Sequence, residues 1–135
     1  MSELRSDANR CFVCGPANPG GLHLVFRLEG GVCLSEFTPA EDHCGYDGVT
    51  HGGLIFSALD DVMANWIFLQ GYRAFTAKCE IRYKAALPTG TPVRLEGHCV
   101  RERGRLVVMQ GRMIRLDNNE VVAETDASFM KDTSN

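Results

Sequence analysis

Apolar and polar positions along this chain change rhythm twice. Residues 22–28 and 32–37 are short apolar-rich runs flanking Gly30-Gly31, which predicts a hairpin of two strands. From Gly52 the pattern changes: residues 54–69 hold neither Gly nor Pro, and apolar side chains run nearly all the way round a helical projection. A helix apolar on almost every side is a buried one, and Gly71 supplies a stop. Beyond it Cys79, Ile81 and Tyr83 alternate with Lys78, Glu80, Arg82 and Lys84, the period of a sheet with one wet face. The alternation continues through Val93, Leu95, Gly97 and Cys99, then breaks at a charged turn expected over 101–105. Residues 106–116 and 121–130 form the last predicted pair, around Asp117-Asn118-Asn119. Residues 11–21 and 38–50, rich in Gly, Pro and Asn, read as loops.

Two strands, one greasy helix and about four further strands joined as hairpins predict an α+β layer, the helix covering the apolar face of an antiparallel sheet. At 135 residues the chain is expected to form one domain, 1–135, with loose termini over 1–10 and 131–135. A net charge of -3 without a local Lys/Arg cluster leaves no footprint for nucleic acid. No apolar run reaches the ~20 residues that span a bilayer, so no membrane partner is expected. The polar first ten residues lack a signal-peptide stretch, which points to a cytoplasmic location and free thiols. Cys33, Cys79 and Cys99 lie within strand-like alternation, where a thiol serves as a small hydrophobe.

Within the helix, Ser57, Asp61 and Asn65 recur at i, i+4 and i+8 and make one polar stripe. Asp60 stands outside it, with Phe56, Ser57, Met63 and Ala64 as its i±3 and i±4 neighbours and Ile67 on the next turn. A carboxylate on a largely apolar face is costly without compensation, and such groups gather at functional sites. The structural alternative is a bond to a strand backbone or an ion pair with an Arg such as Arg82. His51-Gly52-Gly53 opens the helix. Its glycines allow close approach to the backbone, and first-turn N–H groups lack intrahelical partners, so they can hold a carbonyl oxygen that turns negative. Gly53 and Asp60 are seven residues apart, about 10 Å along a helix, whereas a base must come within about 3 Å of its target. One chain cannot place both at one carbonyl. Two antiparallel copies about a two-fold axis could, forming two equal sites.

The string 48–61, GVTHGGLIFSALDD, resembles the HGG-x6-D motif of the PaaI-type branch of hotdog-fold thioesterases. Cys11-Phe12-Val13-Cys14-Gly15, Asn18-Pro19, Gly21-Leu22, Tyr83-Lys84 and Leu87-Pro88-Thr89-Gly90-Thr91 are similar to phrases of the same branch, so the resemblance spans about 11–130. It implies a hotdog fold, one long buried helix wrapped by a curved antiparallel sheet of five to six strands, assembled as a homodimer or a dimer of dimers (homotetramer). It further implies hydrolysis of an acyl-CoA thioester without a cofactor. Gly52 and Gly53 would polarise the carbonyl, Asp60 of the partner would be the base or nucleophile, and His51 would orient the thioester. Asp61 would be a secondary polar contact, with Ser57 and Asn65 beside it. The branch carries an Asn six residues before the motif His to orient the attacking water. Gly45 stands there, which leaves Tyr46, Asp47, Ser57 or Asn65 to replace it and keeps open a second reading, a non-catalytic acyl-CoA binding module. The His/Asp or His/Glu arrangement of dehydratases on this fold is not found.

Cys11-x2-Cys14 has the spacing of half a zinc knuckle, but no second CxxC or HxxxH follows. His23, His43, Cys44 or another subunit would have to complete it, and the expectation is a Gly/Cys turn without metal. Adjacency of His43 and Cys44 does not by itself make a nucleophile and its base. Arg101, Arg103 and Arg105 cluster at a predicted turn; Arg103 and Arg105 are candidates for the CoA phosphates, against the alternative of a solvated turn.

Overall fold

The computed structural model describes residues 8–133. Strands β1 (Arg27–Glu29) and β2 (Val32–Phe37) meet across Gly30 and Gly31, whose φ values of 57 and 82° are left-handed and suit glycine. The first strand is shorter than its apolar run predicts. His23 sits at φ 56°, outside the strand region, and the N–H groups of Leu22 and Leu24 donate to the carbonyls of Phe12 and Val13 at 2.9 Å each. Leu24 and Phe26 are buried all the same, so the apolar signal recorded burial rather than strand pairing.

Helix α1 runs Gly52–Leu69 with His51 as its N-cap. It ends where Gly71, at φ 100°, lets its own N–H reach the Phe68 carbonyl and that of Tyr72 reach the Ile67 carbonyl. Strands β3 (Ala74–Tyr83), β4 (Val93–Arg103), β5 (Leu106–Arg115) and β6 (Val121–Lys131) complete one six-stranded antiparallel sheet, ordered β1-β2-β4-β5-β6-β3. One helix packed on this sheet is the α+β hotdog arrangement. Two boundaries differ from expectation. β4 continues to Arg103, so the turn is Gly104-Arg105, and Val100 bulges out unpaired between Cys99 and Arg101. β6 reaches Lys131, whose N–H donates to the Arg105 carbonyl, and Ala8 and Asn9 accept backbone bonds from Cys11 and Ala17. Neither 8–10 nor Lys131 is loose; the rest of the expected loose termini, except the stretch 132–133, lies outside the described residues.

Inward residues of the sheet, among them Leu95, Val107, Met109, Met113 and Phe129, bury completely against Leu59, Val62 and Met63 of α1. The closest approach falls at Gly97 and Gly111, which face each other across β4 and β5. A Cβ on Gly97 would lie 3.0 Å from the Val62 carbonyl oxygen, and one on Gly111 would lie 2.8 Å from Thr125 Oγ1 and 3.3 Å from Met63 Cγ. The obstacle at Gly97 is helix backbone, which cannot rotate aside. Gly97→Ala is therefore expected to lower stability by about 1–3 kcal/mol, the usual cost of overpacking. An unchanged urea midpoint would show that α1 can ride higher on the sheet than these contacts allow.

Candidate functional site

The loop before α1 is tied on both sides. Cys44 and Thr50 form a bridge, Gly45 N–H donates to the Val49 carbonyl at 2.9 Å, and Thr50 N–H donates to the Leu87 carbonyl at 2.8 Å. His51 leaves this loop extended, and its Nδ1 accepts the Gly53 N–H at 2.9 Å. That cap changes the expected roles of the two glycines. The Gly53 N–H is already committed, whereas the Gly52 N–H has no acceptor among the described residues. Each glycine also makes room for a neighbour. A Cβ on Gly52 would sit 3.4 Å from the Tyr83 ring, whose hydroxyl donates to the Gly52 carbonyl at 2.7 Å, and a Cβ on Gly53 would sit 3.0 Å from His51 Cε1.

Two hollows flank this helix start. One, of about 640 Å³, lies between His51, Gly53, Leu54 and Ser57 and the loop carrying Phe12 and Pro19, with His43 and Cys44 at its side. The other, of about 350 Å³, lies between Gly52, Thr50 and Tyr83.

Asp60 lies two turns further along. Gly53 is exposed and Phe56, Ser57, Asp60 and Ala64 are half-buried, whereas Leu54, Ile55, Ala58, Leu59, Val62 and Met63 are buried. Asp60 thus sits on the least covered face of α1, not on an apolar core face as its sequence neighbours suggest. Its side-chain partner among the described residues is Thr76, whose hydroxyl donates to Oδ1 at 2.7 Å. No cation among the described residues balances the charge: Arg82 pairs instead with Glu124 and Asp126 at 3.6 and 3.7 Å. Burial therefore pushes the Asp60 carboxyl above the ordinary range, opposed only by the Thr76 bond.

Sequence reasoning missed Thr76 and Tyr83, and one irregularity explains the first. Ala74 packs on the core and Thr76 bonds the helix, while further along Cys79, Ile81 and Tyr83 also face inward. Strict alternation cannot put Thr76 and Cys79 on the same face. The register against β6 shifts between Thr76 and Lys78, so Ala77 is the extra residue of a bulge that re-aims Thr76 at Asp60. Tyr83 was visible as an inward position, but its reach to Gly52 was not. β3 is an edge of the sheet, so this wall of the site is exposed.

The polar stripe holds as a stripe but faces the N-terminal loop. Ser57 donates to the Gly53 carbonyl at 2.9 Å, and buried Asn65 donates to Asp61 Oδ2 at 3.1 Å and to the Asp61 carbonyl at 2.9 Å. Asp61 lies 4.0 Å from the Cys11 thiol, and Cys11, Cys14 and Asp61 offer ligand atoms within 4.8 Å of one another. His23 and His43 do not complete this set: His23 bonds the Asn18 carbonyl, and His43 Nδ1 accepts the Ala40 N–H. All six cysteines are free thiols. His43 makes no hydrogen bond to Cys44 among the described residues, which leaves that pair without the geometry of an activated nucleophile. Arg103 and Arg105 lie at the far end of the sheet, near the helix C-terminus, about 27 Å from Gly52 along an 18-residue helix. Arg105 Nε and Nη2 both donate to the Lys131 carbonyl at 3.1 Å. Within one chain the fold does not bring these arginines to the glycines. Gly45 lies beside His51, with its Cβ position 3.6 Å from His51 Cδ2, while Tyr46 at the loop tip is 88% exposed and points no side chain into the gap.

Residues 47–122 match the protein family described as the Thioesterase superfamily. An uncharacterized protein of Schizosaccharomyces pombe is 27% identical over 126 residues, covering 89% of this chain and 72% of that protein. The Escherichia coli PaaI protein, from the phenylacetic acid degradation operon, superposes with a TM-score of 0.77 at 17% identity, covering 84% of this chain and 82% of its own. A hypothetical thioesterase of Streptococcus pneumoniae, solved with coenzyme A, gives a TM-score of 0.75 at 17% identity, covering 81% and 85%. At such identities the likeness to solved structures is one of fold. The family match, by contrast, takes in His51, both glycines, all of α1 and most of the sheet, and on it the chain belongs to the thioesterase superfamily.

Proposed function

We propose that this chain hydrolyses acyl-CoA thioesters at sites shared between two antiparallel protomers. The observation that carries the reading is Asp60: a half-buried carboxylate with no cation beside it among the described residues, held by one hydroxyl on the open face of α1 beside an edge strand. A carboxylate kept in such a place on a single neutral hydrogen bond suits a group poised to take a proton. Gly53 and Asp60 share that face, and a two-fold axis near Phe56 and Ser57 sets each opposite the other's counterpart. The small Gly53 and Ala64 on that face permit close approach of a second helix there.

In this arrangement the thioester carbonyl rests at the helix start of one protomer. The Gly52 N–H donates to it, and the Gly53 N–H joins if His51 turns aside. Asp60 of the opposite protomer takes a proton from water as the oxygen attacks. The negative charge that forms on the carbonyl oxygen is met by the helix N-terminus. Collapse breaks the carbon–sulfur bond, the proton passes to the departing thiolate, and free acid and CoA leave. Antiparallel pairing also carries the Arg103–Arg105 turn toward the partner's helix start, where Arg103 is placed for a CoA phosphate. The coenzyme A held by the similar Streptococcus pneumoniae protein supports this ligand class.

A second reading, binding without hydrolysis, is favoured by one observation. Gly45 offers no side chain at the gap beside His51. Saturable binding of acyl-CoA with no release of CoA thiol would decide for it.

Asp60→Asn is expected to keep the Thr76 contact and the fold while lowering kcat by about 10²- to 10⁴-fold; thiol release near the wild-type rate would remove Asp60 from the chemistry. Mixing Asp60→Asn with Gly53→Val protomers should restore about a quarter of wild-type activity after random re-pairing, since half the dimers then hold one intact site. No recovery in verified mixed dimers argues against a shared site. Because the Thr76 bond favours ionised Asp60, Thr76→Val should raise its pKa and move the acidic limb of kcat/KM to higher pH. An unmoved limb means that another group titrates. The folded carboxyl has a raised pKa, so ionising it costs the native state stability as pH rises through that value. Urea unfolding of Asp60→Asn across pH should lack this decline.

A further inference from the structure

The turn at residues 11–15 is built more tightly than a surface loop requires. Gly15 N–H donates to the Cys11 carbonyl at 2.9 Å, and the Cys14 N–H lies 3.5 Å from the Cys11 sulfur. A Cβ on Gly15 would lie 2.2 Å from the Cys11 nitrogen and 2.5 Å from the Asn9 carbonyl oxygen, so glycine alone closes this turn. The closure turns both thiols toward α1, where Asp61 meets them, and each oxygen of its carboxylate is 4.0 Å from Cys11 Sγ. Asn65, 5% exposed, fixes that carboxylate from the next helical turn through Oδ2.

We propose that Cys11, Cys14 and Asp61 form a binding site for one borderline-soft divalent cation, with zinc as the reference metal and water in the fourth position. Thiolate and carboxylate are the ligand types such an ion takes. Around tetrahedral zinc, bonds of about 2.3 Å to sulfur and 2.0 Å to oxygen put neighbouring sulfur and oxygen atoms about 3.5 Å apart. The Cys11–Asp61 spacing of 4.0 Å needs a contraction of about half an ångström to reach this, and the whole set, within 4.8 Å, about an ångström at most. Asn65 has the place of an outer ligand, which orients a carboxylate by bonding one of its oxygens. A divalent ion displaces the thiol protons to solvent as the sulfur–metal bonds form. The bound ion would staple the N-terminal loop, one wall of the 640 Å³ hollow, to the middle of α1.

The experiment uses the full-length chain, reduced, stripped with a chelator and titrated with Zn²⁺ or with Co²⁺ as a coloured substitute. Expected are one cation per chain, thiolate-to-cobalt charge-transfer absorption, proton release and a rise in Tm. Cys14→Ser and the isosteric Asp61→Asn should weaken binding by about 100-fold or more, and Asn65→Leu by about 10- to 100-fold. Cys79→Ser should bind as the wild type does. Lack of charge-transfer absorption, or full uptake by folded Cys14→Ser or Asp61→Asn, overturns the proposal. So does a Cys11–Cys14 disulfide in the untreated chain together with no cation uptake after reduction, which would make the pair a redox couple instead. None of these readouts depends on hydrolysis.

Discussion

The close contact of α1 with Gly97 and Gly111 sets the direction in which each side chain of the helix points. Side chains on these facing positions of β4 and β5 would hold the helix away from the sheet. With hydrogens there instead, Val62 and Met63 sink to full burial, and the remaining helix faces take fixed directions. Asp60 then turns toward β3 and Asp61 toward the N-terminal loop. Two adjacent acids thus enter different surroundings because consecutive helical residues differ by about 100°. Thr76 bonds the first; two thiols and an amide surround the second.

The helix start shows the same economy of polar groups. An α-helix begins with N–H groups that lack partners, and this one satisfies Gly53 with its own His51 while leaving Gly52 available. Tyr83 holds the Gly52 carbonyl from the edge strand, so Gly52, whose own N–H is the free donor, is anchored on its carbonyl side. A donor held rigidly before a substrate arrives needs no reorganisation when charge develops, which is where electrostatic catalysis gains most.

Much of this was readable from one-dimensional pattern. The helix, the hairpin at Gly30-Gly31 and the later strands follow from apolar period and glycine placement, because burial imposes those periods directly. Asp60 could be singled out as a charge among apolar neighbours, although its face proved to be the open one: a helix apolar all round does not reveal which side the sheet covers. What stayed hidden depends on contacts between distant segments. The left-handed turn at His23 and the bulge at Ala77 break periodicity without a compositional mark. The meeting of Cys11 and Cys14 with Asp61 joins residues about fifty positions apart, and a search for zinc ligands at short sequence spacing passes over it.

The bulge at Ala77 limits how β3 can change in length. Its upstream half presents Ala74 and Thr76 to the helix, and its downstream half presents Cys79, Ile81 and Tyr83, with the two halves out of phase by one residue. Loss or gain of a single residue on either side would invert one half, swinging either the Thr76 hydroxyl or the Tyr83 phenol out to water. Insertions and deletions tolerated in this strand should therefore come in pairs, even though it lies at the rim of the sheet, where length ordinarily drifts most freely.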